Sequence, residues 1–187
     1  PAGGRVGTGG GGLGRIARSG KERPGSAGSV TKVMTALVVL TDKPLKKDEA
    51  GPSITITDVD VQSYLAEQAN KESVVAVQSG EQLTEFQLLE GLLIPSANNF
   101  AQTLARWDAG SIQEFVASMN KRAGDLHMTH TTFTDTSGAS PGTVSTPGDL
   151  MLLGMEAMKL DVFAQIVGMA QADLPVAGRV YNVDSVL

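Results

Sequence analysis

The 187 residues are enough for one domain with a real hydrophobic core, and the apolar share of 41% and charged share of 19% are ordinary for a globular chain. The net charge of −5, the aromatic share of 4% and the small size of the largest basic cluster (Lys43, Lys46 and Lys47) argue against a nucleic-acid-binding surface. The absence of cysteine excludes disulfides and thiolate metal sites, and no segment approaches the roughly 20 apolar residues of a transmembrane helix.

The first 24 residues form a glycine-rich lead-in with little pattern. Gly7, Gly9 and Gly12 spell G-x-G-x-x-G, but no apolar strand precedes them and no amphipathic helix follows, so the dinucleotide-binding interpretation fails. Residues 13–17 could supply one short strand. We therefore divide the chain into a weakly structured lead-in, residues 1–24, and one folded domain, residues 25–187.

The stretch GSVTKVMTALVVLTD, residues 28–42, predicts a buried central helix, because residues 33–40 are apolar on every side. Ser29 stands at the start of this helix and Lys32 follows one turn later, so their side chains are neighbours. A lysine in apolar surroundings tends to lose its proton, and the neutral amine can then accept a proton from a serine. The pair predicts a serine nucleophile that works without a histidine.

The rest of the chain alternates predicted helices with a few short strands. Thr84 and Gln87 make a capping box in front of a helix that should end near Ile94, because Pro95 disfavours helical geometry in the residue before it. Residues 127–145 predict a long loop or a short strand, and Trp107 and the methionines of 151–158 are expected in the core. Strands are predicted at 53–57, 74–77 and 176–183, and helices at 59–69, 84–94, 100–107, 111–126, 146–158 and 162–170.

Ser96 and Asn98 fall in the tight turn between two of these helices. Neither S-x-x-K nor S-x-N is specific when it occurs alone, since most such serines are surface helix residues or helix caps. Here one motif heads a buried helix and the other lies in a proline-fixed turn. Their conjunction predicts one pocket that holds a nucleophile, a base and two further polar groups.

Four segments carry a resemblance to a known family: SVTKVMTALVVL, LLEGLLIPSANNFAQTLA, FVASMNKRAGDLHMTHTTFTDTSG and STPGDLMLL. They resemble serine-type D-alanyl-D-alanine carboxypeptidases, the low-molecular-mass penicillin-binding proteins, with both motifs in the family's order from about Arg23 onward. The resemblance implies an α+β fold of the DD-peptidase/β-lactamase type. In that fold a helical cluster surrounds a buried central helix and packs on a small antiparallel sheet.

The resemblance also implies a role for each site residue. Ser29 would be the acylated nucleophile and Lys32 its general base, while Ser96 would relay a proton to the leaving D-alanine and Asn98 would bind the substrate backbone. The implied partners are peptidoglycan stem peptides and β-lactam antibiotics, with no cofactor, metal or nucleic acid. The implied setting is extracytoplasmic, in the synthesis and shaping of the cell wall.

Two features depart from the family pattern. No Lys or His is followed by Thr/Ser-Gly, so the family's third motif, which lies on a strand that walls the cleft, is absent and the sheet is expected to be short of strands. In addition, Gly28 separates Ala27 from Ser29, where the family has Ala-Ser. The alternative hypothesis is therefore a non-catalytic or vestigial module, or a fragment, that only binds cell-wall peptide or β-lactam.

Three competing sites are less well supported by the sequence. Residues 138–142 spell G-x-S-x-G, but Pro141 lacks the N–H that the oxyanion hole of a nucleophile elbow requires, so a turn is expected. His127 and His130 match no metal motif. A β-lactamase would need a group, in class A a glutamate on a separate loop, that activates water, and no local pattern for that loop is present. A peptidase that is trapped by penicillin is favoured.

Overall fold

The computed structural model describes residues 23–183, so the predicted strand at 13–17 and nearly all of the lead-in lie outside the described residues. This part of the chain is mainly helical, with short antiparallel strands, which confirms the predicted α+β class. Its helices are α1 (Thr31–Asp42), α2 (Asp58–Ala69), α3 (Glu85–Leu93), α4 (Asn98–Ala109), α5 (Ile112–Asp125), α6 (Pro147–Ala157) and α7 (Asp161–Val167). Its strands are β1 (Gly25–Ser26), β2 (Ser53–Thr55), β3 (Gln82–Thr84), β4 (Val144–Ser145), β5 (Gln171–Leu174) and β6 (Gly178–Tyr181).

Helix α1 lies at the centre of the domain, as its sequence predicts. It packs against α3, α4, α5 and α6, so that a partner covers almost every side of the helix. Met34, Leu37 and Val39 are each no more than 1% exposed. Burying a large apolar side chain of this kind contributes about 1.5–3 kcal/mol, and this burial holds the rest of the cluster around α1.

Within residues 23–183 the strands form three separate two-stranded antiparallel ladders, β1–β4, β2–β3 and β5–β6. The predicted strand at 53–57 is shortened to β2, the one at 176–183 becomes β6, and β3 and β5 are strands that the sequence analysis missed. The prediction of a strand at 74–77 is wrong. There the backbone N–H of Val75 donates to Asn99 Oδ1 at 3.1 Å and its carbonyl accepts from Asn99 Nδ2 at 2.9 Å. A side-chain amide has taken the place of a neighbouring strand.

The predicted helix starts are largely confirmed. Thr84 and Gln87 form both hydrogen bonds of the capping box of α3, and Thr146 caps α6 with a proline at the first turn. Helix α4 begins at Asn98 rather than at residue 100, which places Asn98 in its first turn. Among residues 23–183, no helix combines the length and hydrophobicity needed to cross a bilayer.

The prediction that the methionines of 151–158 belong to the core is partly wrong. Helix α6 buries Leu153 and Ala157, whereas Met155 and Met158 are 45% and 55% exposed. The exposed side of this helix also carries apolar side chains, among them the flexible thioethers of these two methionines. Trp107 is partly buried against the core.

Candidate active site

Ser29 lies in a single 3₁₀ turn, Gly28–Val30, that leads directly into α1. The preceding strand β1 pairs with β4, and the N–H of Ala27 donates to the carbonyl of Thr143 at 3.2 Å, so the approach to the helix is fixed. Gly28 has a φ of +53°, a left-handed conformation that glycine adopts without steric cost. The glycine that departs from the family pattern thus shapes the turn that leaves the Ser29 side chain exposed.

Lys32 is buried, with only 3% of its surface exposed, and its Nζ donates to the carbonyl of Ser137 at 3.2 Å. Burial lowers its pKa from 10.5 to about 8, even though the negative charges of Asp135, Glu67 and Glu72 act in the opposite direction. At pH 7 roughly a tenth of the molecules then carry a neutral amine, far more than for an exposed lysine. The structure therefore provides a buried lysine with a lowered pKa one turn after an exposed serine.

A loop of residues 135–143, here called the Asp135 loop, packs against the first turn of α1. Thr35 Oγ1 donates to the carbonyl of Thr136 at 2.7 Å, next to the carbonyl that Lys32 binds. Gly138 has a φ of +85°, and a Cβ built on it would lie only 1.8 Å from the carbonyl oxygen of Gly28. No side chain larger than hydrogen fits there, so the loop and the helix start are in the closest contact that a backbone allows.

Asp135 organises this loop from within. Its Oδ2 accepts hydrogen bonds from the backbone N–H groups of Ser137, Gly138 and Ala139 and from the Ser137 hydroxyl, while its Oδ1 accepts from Thr143 Oγ1. Burial acts to raise the pKa of Asp135, but the hydrogen bonds from Thr143 and Ser137 outweigh it and hold the pKa below its usual value. The ionised carboxylate fixes the Ser137 carbonyl that receives the Lys32 amine.

Ser96 and Asn98 lie where α3 connects to α4. Ser96 has a φ of +61°, which is uncommon for a residue other than glycine and marks a backbone held by its surroundings. Asn98 is 7% exposed; its N–H donates to the carbonyl of Ser73 at 2.7 Å and its Nδ2 donates to Glu72 Oε2 at 2.6 Å. The backbone and the side chain of Asn98 therefore both donate to residues 72–73, in the short segment after α2.

The two motif segments belong to one cluster of packed helices, because both α3 and α4 pack against α1. Within residues 23–183, Lys32 hydrogen-bonds the Ser137 carbonyl and no hydrogen bond joins it to Ser29 or Ser96. The expected approach of these three side chains to one another thus stays a prediction.

Comparison with known proteins adds an independent observation. A family model described as D-alanyl-D-alanine carboxypeptidase matches residues 15–181, which is most of the sequence. The chain belongs to this family. Curated family members include a D-alanyl-D-alanine carboxypeptidase of Streptomyces sp. strain K15, 35% identical over 149 residues, and one of Mycobacterium tuberculosis, 37% identical over 150 residues. These matches cover 76% and 79% of this chain but 49% and 47% of the two relatives.

Solved structures of family members share the fold. The Streptomyces K15 DD-transpeptidase superposes with a TM-score of 0.71 at 29% identity, over 87% of this chain and 64% of that one. A D-alanyl-D-alanine carboxypeptidase of Mycobacterium tuberculosis gives a TM-score of 0.74 at 30% identity, over 87% of this chain and 59% of that one. The chain spans about half the length of the curated relatives quoted above.

Several residues around the site were not singled out from the sequence of this carboxypeptidase-family chain. Asp135 is followed by Thr-Ser-Gly, a turn signal that points to its side chain as a backbone acceptor. Glu67, Glu72 and Asn99 carry no such local signal, because their partners lie 24 to 35 residues away along the chain.

The residues of the competing sites take part in ordinary turns and hydrogen bonds. Residues 141–142 form a turn, as expected, and the Ser140 hydroxyl accepts a hydrogen bond from Thr134 Oγ1 at 2.9 Å within the Asp135 loop region. The backbone N–H of His130 donates to Asp149 Oδ2 at 2.8 Å. No group of three or more His, Cys, Asp or Glu side chains in the part of the chain that the structure describes is arranged to hold a metal ion.

Proposed function

We propose that this protein is a serine D-alanyl-D-alanine carboxypeptidase that acts through an acyl-enzyme on Ser29. The observation that carries the proposal is the buried Lys32, whose pKa is lowered to about 8, one turn after an exposed serine at a helix start. Membership of the family supports the reaction class. We assign the activity to residues 25–187, the unit that follows the glycine-rich lead-in.

The reaction follows from the chemistry of the proposed residues. Neutral Lys32 accepts the Ser29 hydroxyl proton as Ser29 Oγ attacks the carbonyl between the two D-alanines. The N–H of Ser29 lies in the first turn, where N–H groups lack intrahelical acceptors, and it donates to the developing oxyanion. Ser96 passes a proton to the leaving D-alanine amine, Asn98 binds the substrate backbone, and water then releases the acyl group.

The proposed substrate is the D-Ala-D-Ala end of a peptidoglycan stem peptide, and β-lactams are the proposed covalent inhibitors. The family and the relatives named D-alanyl-D-alanine carboxypeptidase support this substrate class. Stem peptides of this kind belong to the cell wall, so the proposed place of action is outside the cytoplasm. The reaction as written uses side chains, the backbone N–H of Ser29 and water, and it calls for no metal or cofactor.

A second candidate function is binding without turnover. It is favoured by one observation, the lack of any Lys or His followed by Thr/Ser-Gly in the 187 residues. In this alternative the buried helix and the two motifs recognise cell-wall peptide or β-lactam, and hydrolysis does not follow.

Release of D-alanine from an acetylated tripeptide ending in D-Ala-D-Ala separates the two candidates. The carboxypeptidase proposal expects D-alanine release by the wild-type protein and none by Ser29→Ala, with both variants equally folded by circular dichroism. Binding of the tripeptide to both variants with no release by either would favour the second candidate. Equal release by both variants would remove Ser29 from the mechanism.

A further inference from the structure

The side chain of Asp135 is connected to the turn that carries Ser29. Its Oδ1 accepts a hydrogen bond from Thr143 Oγ1, and the carbonyl of this threonine accepts from the N–H of Ala27 at 3.2 Å, two residues before the serine. Its Oδ2 accepts from the N–H of Gly138 at 2.7 Å, the glycine that touches the start of α1. The Asp135 carboxylate therefore holds both backbone segments that contact the Ser29 turn from the loop.

The same carboxylate is connected to Lys32. Its Oδ2 accepts from the backbone N–H of Ser137 at 3.1 Å and from the hydroxyl at 2.9 Å, and the carbonyl of that serine accepts from Lys32 Nζ at 3.2 Å. The preceding carbonyl, of Thr136, accepts from Thr35 Oγ1, one turn further along α1, at 2.7 Å. Two successive carbonyls of the Asp135 loop thus bind side chains of the first two turns of α1.

Asp135 also acts on Lys32 through its charge. The carboxylates that act on the amine come from three places: Asp135 in the loop, Glu67 on α2 and Glu72 in the segment after α2. All three raise the pKa of Lys32 against the effect of burial, and Asp135 has the largest effect of the three. Hydrogen bonds hold the pKa of Asp135 itself below its usual value, so this carboxylate stays ionised over the range in which the amine titrates.

One side chain thus supports the proposed nucleophile and the proposed base together. We propose that Asp135 is a positioning residue for the acylation of Ser29, which holds Ser29 and Lys32 in place through its loop and acts on the amine through its charge. This inference rests on the proposed function and adds to it a residue that acts through others. A carboxylate that served only the fold of the loop would affect stability and leave the pH profile of acylation unchanged.

Two conservative substitutions separate the hydrogen bonds of Asp135 from its charge. In Asp135→Asn the amide oxygen can still accept from the N–H groups of residues 137–139, and the amide nitrogen can donate to Thr143 Oγ1. The loop is then kept and the charge is lost. Asp135→Glu keeps the charge, but its longer side chain moves the carboxylate away from these donors.

The rate constant for acylation by a penicillin, measured between pH 6 and 9.5, reports on both substitutions. Asp135→Asn should move the midpoint of the profile about one pH unit lower, because burial of the amine is then less opposed. Its plateau should fall only slightly, since a weaker base accepts a proton less readily. Asp135→Glu should keep the midpoint and lower the plateau by about tenfold or more, because displaced reacting groups lose rate steeply.

Asp149→Asn is the matched control. Asp149 is 4% exposed, and its Oδ2 accepts from the N–H of His130 and from Thr131 Oγ1, both at 2.8 Å. It resembles Asp135 as an internal acceptor but is not among the carboxylates that act on Lys32. The midpoint of the acylation profile should therefore be the same in Asp149→Asn as in the wild-type protein.

The outcomes separate this inference from the proposed function. An unmoved midpoint in Asp135→Asn, an equal shift in Asp149→Asn, or an unchanged plateau in Asp135→Glu would overturn the role of Asp135 and leave the peptidase proposal standing. Loss of folding in both Asp135 variants, seen by circular dichroism, would assign the residue to the fold alone and overturn the inference too. Absence of acylation in the folded wild-type protein at every pH would overturn the proposed function itself.

Discussion

Lys32 is the residue on which the proposed mechanism depends most. Its amine is buried beside the carbonyl of Ser137, and burial is the dominant influence on its pKa. The same burial disfavours the charged form of the lysine, and the three nearby carboxylates offset part of that effect. Both the charged and the neutral amine are therefore populated near pH 8. A base with a pKa near the working pH is what proton abstraction from a serine requires.

The lowered pKa of Lys32 predicts a pH dependence for acylation. The rate constant for acylation by a penicillin should rise about tenfold per pH unit below pH 8 and level off above it, because the neutral amine is the base. Stopped-flow or gel-based labelling between pH 6 and 9.5 measures this profile. A profile that is flat across pH 8, in protein that remains folded, would contradict the role of Lys32 as base.

The elements that carry the motifs are held by tight interhelical packing. Gly91 of α3 faces the ring of Phe100 of α4, and a Cβ built on Gly91 would lie 2.2 Å from the ring. The same two helices enclose the turn that bears Ser96, so their separation sets the position of that turn. The Asp135 loop is held against the start of α1 by a similarly close contact, between Gly138 and Gly28.

Two glycine-to-alanine substitutions test this packing. In an open helical position alanine stabilises by about 0.5–1 kcal/mol, and Gly154 of α6, with no atom within 4 Å of its built Cβ, should follow that rule. Gly91→Ala should instead destabilise by about 1–3 kcal/mol, because the Phe100 ring must move. Urea denaturation measures both free energies of unfolding. Stabilisation by Gly91→Ala would show that α3 and α4 are less tightly packed than described.

Local sequence signals predicted the helices well because their causes are local. The apolar residues that bury α1, the Thr84–Gln87 box and the Thr146 cap act within one or two turns. The strand predicted at 74–77 failed because the partner of Val75 is a side chain, Asn99. The β-branched residues of this segment do not indicate whether its backbone will bind a neighbouring strand or a side-chain amide.

The candidate site was predictable only in its motif residues. Ser29, Lys32, Ser96 and Asn98 stand at recognisable spacings, but the groups around them come from distant parts of the chain. The Ser137 carbonyl lies 105 residues after Lys32, and Glu72 lies 26 residues before Asn98. Pairs at such separations depend on how the helices pack, which a single sequence does not encode in a readable pattern.

At the scale of the whole molecule, three buried glutamates make stability depend on pH. Burial is the main cause that raises the pKa of Glu67, Glu85 and Glu90 from 4.5 to about 7. Between these two values the folded protein holds more protons than the unfolded chain, so the free energy of unfolding falls as the pH rises from about 4.5 to 7. Asp60 and Asp135, whose pKa values are lowered, act below this window.

The expected fall is on the order of 1 kcal/mol for each glutamate, and urea denaturation at pH 5 and pH 7.5 measures it. The double variant Glu85→Gln/Glu90→Gln should be more stable than the wild-type protein at pH 7.5. It should therefore lose most of the part of the pH-dependent fall that these two glutamates contribute. Glu114→Gln, at an exposed position on α5, is the matched control and should leave the difference between the two pH values unchanged. Greater stability of the wild-type protein at pH 7.5 than at pH 5 would contradict this assignment.

Covalent labelling with a penicillin, followed by peptide mass spectrometry, tests the central claim most directly. We expect one acyl adduct per chain, on the peptide that contains Ser29, and its loss in both Ser29→Ala and Lys32→Met while Ser140→Ala keeps it. No adduct on folded wild-type protein, or an adduct on another residue, would contradict the account.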